Sequence, residues 1–110
     1  MISYTVTEQD RARAQGDPWI EFQRSADLST GLYVLEAGEK DEQEPHTEDE
    51  IYVCVRGTAR FVTPSGECDV TAGTVIFVPA NEEHRFVDIT ERLELVVVFG
   101  PAEGSRSSRS

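Results

Sequence analysis

The sequence predicts an all-β fold, a sandwich or a closed barrel, on three observations. Eight short strand-like runs follow one another, turn chemistry closes nearly every one, and no helical period survives beyond Gly16-Asp17-Pro18. With 110 residues the chain falls in the range of one domain, able to bury roughly two-thirds of the surface its unfolded form exposes. Apolar residues make up 38% of it and concentrate in the short runs, as in a globular chain.

Taken in order, residues 9–15 read as one short helix with Thr7 as its cap, ended by Gly16-Asp17-Pro18. Strand-like stretches then cover residues 19–24, 31–36, 51–55, 59–63, 69–70, 75–78, 85–89 and 93–99. Pro64-Ser65-Gly66, Ala72-Gly73 and Pro79-Ala80-Asn81 supply tight connections between them. Residues 36–50 carry eight acidic side chains and one lysine, too polar a mixture for a plain strand. Residues 103–110, rich in Ser, Arg and Gly, have nothing to bury and read as a disordered tail, which leaves residues 1–102 as the domain.

A formal charge of −11, from 21 acidic and 10 basic residues, repels phosphate backbones and anionic lipid. Lys40 is the sole lysine and Arg106 and Arg109 sit in the tail, so no basic stripe for nucleic acid forms. No apolar run approaches the roughly 20 residues a membrane helix requires, and Met1-Ile2-Ser3-Tyr4 does not begin a secretion signal; the expectation is a cytoplasmic protein. Cys54 and Cys68 lack CxxC spacing and read as small buried hydrophobes rather than a disulfide. Nucleophilic-serine, P-loop and dinucleotide motifs are absent.

The two histidines, His46 and His84, each end a strand-like run beside carboxylates. Each alone reads as an ordinary structural histidine, satisfied or exposed. With Glu50 they form a nitrogen and oxygen donor set suited to Fe, Mn, Zn, Ni or Cu, if folding makes them neighbours.

Gly38, Glu44, His46, Glu50 and Gly57 fall on the pattern G-x5-H-x-H-x3-E-x6-G. Gly73, Pro79, Asn81, His84 and Asp88 fall on G-x5-P-x-G-x2-H-x3-N. These are the two cupin motifs, and over residues 38–88 the chain resembles a small single-domain member of that superfamily. The resemblance implies a double-stranded β-helix, or jelly-roll, barrel holding a divalent metal ion (Fe, Mn, Zn or Ni) through His46, Glu50 and His84. Glu44 stands where the motif has its first histidine, two residues from His46 and so on the same face of a strand. It then serves as a fourth metal ligand, as a free catalytic base, or, like Glu48 and Asp49, merely solvates a loop. Gln43 is a further candidate ligand or donor. Asn81 replaces a glycine, which asparagine does with least strain, and Asp88 replaces an asparagine.

Tyr52, Phe77 and Phe86 are candidates for the cavity wall, and Arg56, Arg60 and Arg85 for contact with an anionic substrate. The function implied is a metal-dependent dioxygenase or isomerase acting on a small polar or carboxylated molecule. The alternative is a non-catalytic ligand-binding or sensing cupin with a structural metal or none. An edge strand open to a neighbour makes a homodimer the expected assembly.

Overall fold

The computed structural model describes residues 1–6 and 18–106, so the expected helix over residues 9–15 and its cap Thr7 lie outside the described residues. Among the described residues six strands form: β1 (Trp19–Arg24), β2 (Ser29–Leu35), β3 (Asp49–Thr63), β4 (Gly66–Val70), β5 (Val75–Val78) and β6 (Arg85–Gly100). All pair antiparallel, in the order β1-β2-β6-β3-β4 with β5 also on β3. Among the described residues there is no helix, and none long and apolar enough to cross a membrane.

Eight expected strands become six because two pairs fuse: 51–55 with 59–63 across a change of phase, and 85–89 with 93–99 through residues 90–92, where the register with β3 also slips. In β3 the residues turned inward are Glu50, Tyr52 and Cys54, and then Ala59 and Phe61. Even positions give way to odd ones where the β3–β6 register slips, between Cys54 and Arg60. A bulge inserts residues without ending the ladder, so the period-two pattern breaks while the strand continues. In β6 the same happens between Phe86 and Ile89, around Asp88, which adopts φ 50°.

β3 is the spine. One edge lies against β6; the other carries β5 opposite Glu50 to Val53 and β4 opposite Ala59 to Thr63. The sheet curls around a core that includes Leu35, Tyr52, Phe61, Phe86, Leu93 and Leu95, each large apolar side chain contributing about 1.5–3 kcal/mol by leaving water. A smaller outer cluster, Leu32 and Val34, is covered by Val6, Ile20 and Phe22.

Asn81 adopts φ 68°, the left-handed conformation expected from its place on a glycine position. Both cysteines are free thiols, but Cys68 is exposed rather than buried, because β4 is an edge strand with only Val70 turned fully inward. Gly57 sits at the β3 bulge with φ 104°, and a Cβ there would lie 2.2 Å from the Arg92 carbonyl oxygen and 2.7 Å from Leu93 Cα. Backbone atoms cannot yield as a flexible side chain does. Gly57→Ala is expected to destabilise the fold by roughly 2–4 kcal/mol, combining the left-handed penalty with the clash, read as a lower urea midpoint with an unchanged slope.

Candidate metal centre

His46 lies in the loop between β2 and β3, Glu50 is the second residue of β3, and His84 immediately precedes β6. The loop has no strand ladder to satisfy its backbone, so side chains hold it instead. Asp41, buried, accepts from Tyr33 Oη (2.7 Å), Phe86 N (2.9 Å), Gln43 N (3.3 Å) and Gln43 Nε2 (2.8 Å). The Asn81 N–H donates to the His46 carbonyl at 2.7 Å, tying the loop to the turn that delivers His84.

His46, Glu50 and His84 converge, with one ligand atom from each lying within 4.8 Å of the others. The His84 Nδ1 donates to the Glu82 carbonyl at 2.9 Å, and a carbonyl can only accept, so Nε2 is the ring atom facing inward. There it meets Glu50 Oε1 at 3.3 Å and Tyr52 Oη at 3.1 Å. Glu50 Oε1 is buried and receives no hydrogen bond. Two acceptors side by side in a dry interior are stable only with a proton or a cation between them. Burial lowers the His84 pKa, but the Glu50 carboxylate and the Glu82 carbonyl outweigh it and hold the group above its ordinary value. The donor set fits a divalent metal equally well, with two imidazoles and one carboxylate whose orphaned oxygen needs a positive partner.

The His46 Nε2 lies 3.4 Å from Gln43 Oε1, while its Nδ1 faces Glu103 Oε2 at 3.7 Å. Its ring packs edge-on against Phe99, with centroids 4.8 Å apart. Tyr52 Oη donates to Gln43 Oε1 at 2.9 Å. Burial first, then the nearby Glu50 carboxylate, pushes this phenol well above its ordinary pKa, so it stays neutral.

Glu44 stands outside the cluster, exposed on the loop. The alternation that would turn it inward with His46 needs a strand, and residues 40–46 form none. Gln43, one residue earlier, faces the site in its place. Asp49 is exposed as expected, but Glu48 does not solvate the loop: it is buried, and its carboxylate accepts from Gly104 N (2.8 Å) and Arg106 N (3.0 Å). Residues 103–106, assigned from sequence to the tail, are therefore held against the barrel as a turn, and Glu103 reaches the cavity.

That cavity, about 190 Å³, is walled by Trp19, Tyr33, Val97 and Phe99 around Gln43, His46, Glu50 and Tyr52. Beside it an outer depression of about 520 Å³ is lined by Gln43, Glu44, Thr63, His84 and Arg85. Of the aromatic candidates, Tyr52 touches the cluster, Phe86 packs beneath Tyr52 at 5.0 Å, and Phe77 is 60% exposed on the outer face. Arg56 and Arg60 are exposed, Arg60 paired with Glu67. Asp41 and Glu103 were not singled out from the sequence. One was lost in an acidic run, and nothing marked the other.

A family model described as Cupin domain matches residues 31–99. An uncharacterized protein of Streptomyces coelicolor is 38% identical over 104 residues, covering 94% of this chain and 99% of its own. Among solved structures, DMSP lyase DddQ from Ruegeria pomeroyi is similar with TM-score 0.68 at 18% identity, over 77% of this chain and 48% of the lyase, so this chain spans about half that protein's length. An RmlC-like cupin family protein with a double-stranded β-helix fold, from Methanocaldococcus jannaschii, gives TM-score 0.67 at 18% identity over 76% of this chain and 78% of its own. KdgF from Halomonas sp. gives TM-score 0.67 at 15% identity over 76% of each chain. At such identities these structural likenesses establish the fold.

Glu48 offers a separate check on the turn it holds. Burial raises its pKa, but hydrogen bonds from Thr47, Gly104 and Arg106 outweigh that and leave it below the ordinary carboxylate range. Its contribution is thus complete above the unfolded carboxylate pKa and is lost as pH falls through the lowered folded value. Glu48→Ala is expected to cost about 1–3 kcal/mol, to flatten that acid limb, and to speed amide exchange at Gly104 and Arg106. Unchanged exchange at both amides would refute the assigned role.

Proposed function

The chain belongs to the cupin domain family, and from that premise we propose that it holds a divalent metal ion through His46, Glu50 and His84 and binds a small polar or carboxylated molecule beside it. The facing acceptors Glu50 Oε1 and His84 Nε2, 3.3 Å apart with no hydrogen bond to the former, carry this reading. A divalent ion bound there supplies a Lewis-acid centre for polarising an oxygen of the ligand, or an oxygen-activating centre if it is iron.

The side chains around it do the rest. Trp19, Val97 and Phe99 exclude water from a cavity whose size admits only a small ligand. Tyr52, kept neutral by burial beside Glu50, donates its one phenolic proton to Gln43 Oε1 and so steadies that amide at the cavity wall. Glu103, reaching the same cavity, stands 3.7 Å from His46 Nδ1, where its charge favours a proton on that nitrogen and leaves Nε2 for the site. DddQ, named as a DMSP lyase, acts on a small molecule with the same fold, which accords with a small-molecule substrate here. Open positions on such an ion beside a small cavity suit turnover, and isomerase or dioxygenase chemistry is the class proposed.

Elemental analysis of untagged protein tests the metal directly. The parent is expected to retain about one divalent ion per chain, and His46→Ala/His84→Ala to retain none. Equal metal content in both would remove the site. Turnover is tested separately: substrate-dependent oxygen uptake or product formation in Fe(II)-loaded parent supports an enzyme, and tight ligand binding with no chemical change would make the protein a sensor.

A further inference from the structure

We propose that Gln43, aligned by Asp41, supplies a fourth protein ligand, a neutral amide oxygen, to the ion held by His46, Glu50 and His84. The inference rests on the metal reading above and goes beyond it by assigning a ligand that neither the motif nor the acidic residues of the loop provide.

The orientation of the Gln43 carboxamide follows from chemistry. One of its terminal atoms lies 2.8 Å from Asp41 Oδ2, an oxygen that already accepts from the Phe86 N–H at 2.9 Å. The amide end facing a carboxylate acceptor is the NH₂, so the carbonyl oxygen is turned into the cavity. It arrives 3.4 Å from His46 Nε2, and Glu50 Oε1 is 3.3 Å from His84 Nε2. An ion about 2.0–2.2 Å from nitrogen and oxygen ligands sets neighbouring ligand atoms about 3–3.5 Å apart. Both separations lie in that range. Tyr52 Oη donates to the same Oε1 at 2.9 Å, which a carbonyl with two lone pairs accommodates alongside coordination.

Asp41 does not point at the ligand atoms itself. It is buried, accepts from Tyr33 and Phe86 as well as from Gln43, and is thereby a positioning residue that fixes which end of the amide faces in. The consequence for substrate is electrostatic. Two imidazoles, one carboxylate and one amide sum to a single negative charge, so a bound dication leaves the centre positive. A carboxylate at Glu44 in the same place would have cancelled it. Glu103, which lines the same cavity, and Asp41 behind the amide lie outside this count and offset the residual charge, so the amide keeps the ion more electrophilic without by itself selecting an anionic ligand.

The test uses full-length protein stripped of metal and titrated with Co(II) against a competing chelator, reading affinity and the visible absorption of the cobalt. Gln43→Met keeps the side chain's length and removes its oxygen. It is expected to weaken Co(II) binding about tenfold or more and to shift the cobalt bands, while Glu44→Gln matches the parent in both. In parallel, the Gln43 side-chain NH₂ resonance of the parent, identified by its loss in Gln43→Met, is expected to move when Zn(II) is added. That shift is required of the parent, and the affinity and cobalt spectrum of Gln43→Met separate ligation from mere proximity. Parent-like affinity and spectrum in Gln43→Met, or an unmoved resonance in Zn(II)-loaded parent, overturns the amide ligand and leaves the three-residue site standing. A parent that takes up neither metal overturns both.

Discussion

A carboxylate oxygen and an imidazole nitrogen, both acceptors, face each other 3.3 Å apart inside the barrel, and the architecture is arranged around keeping them there. Glu50 lies on β3 between β5 and the end of β6, opposite Val78 on one side and Phe99 on the other. His84 enters at the start of β6, whose first residues pair with the far half of β3, Phe86 opposite Phe61. A straight sixteen-residue strand would carry its two ends about 50 Å apart. The phase changes at Asp88 and around Gly57 bend β6 and β3 together, so that His84 at one end and Phe99 at the other both come against the His46 ring, with centroids 5.8 and 4.8 Å away. The bulges are thus what bring the two halves of the site into register.

The loop that carries His46 depends on the same economy of contacts. Without a ladder, its backbone is held at a few points: Gly38 N to the Ile89 carbonyl at 2.8 Å, Asp41 to β2 and β6 through Tyr33 and Phe86, and the His46 carbonyl to Asn81 N. Glu48 extends the arrangement outward by fastening residues 103–106. Buried carboxylates are expensive unless fully partnered. Asp41 and Glu48 are partnered by the protein itself and stabilise it, whereas Glu50 keeps one oxygen without a donor. That contrast separates the groups that build the site from the group that is the site.

Much of this was legible in the chain. Strands β1 and β5 match the expected bounds, because 19–24 and 75–78 end at unambiguous turns. The convergence of His46, Glu50 and His84 was legible through motif spacing. What could not be read were effects that cross the sheet. Two residues of altered phase look like a strand end in one dimension, though pairing with β6 continues through them. Glu44 was placed inward by an alternation that only a strand enforces, and its segment is a loop. Gln43 and Asp41 act as a pair whose meaning comes from Phe86 and Tyr33, on distant strands. Glu103 carried no local signal, since a turn rich in Gly and Ser is indistinguishable from a tail until Glu48 is seen beneath it.

A polar cluster of this kind is a poor way to stabilise a 110-residue fold. Replacing a buried ionic group by well-packed apolar side chains is commonly neutral or stabilising, by about 1–4 kcal/mol. The core around the site, with Tyr52, Phe61 and Phe86 in mutual aromatic contact, has the material for such packing. Instead the chain places an underpartnered carboxylate, two imidazoles and an oriented amide against that aromatic wall, and adds Asp41 to hold the amide in place. Stability does not require this arrangement, whereas capture of a cation, the function proposed above, would. The cost is offset when positive charge arrives between Glu50 and His84, so occupancy of the site and stability of the fold are thermodynamically linked.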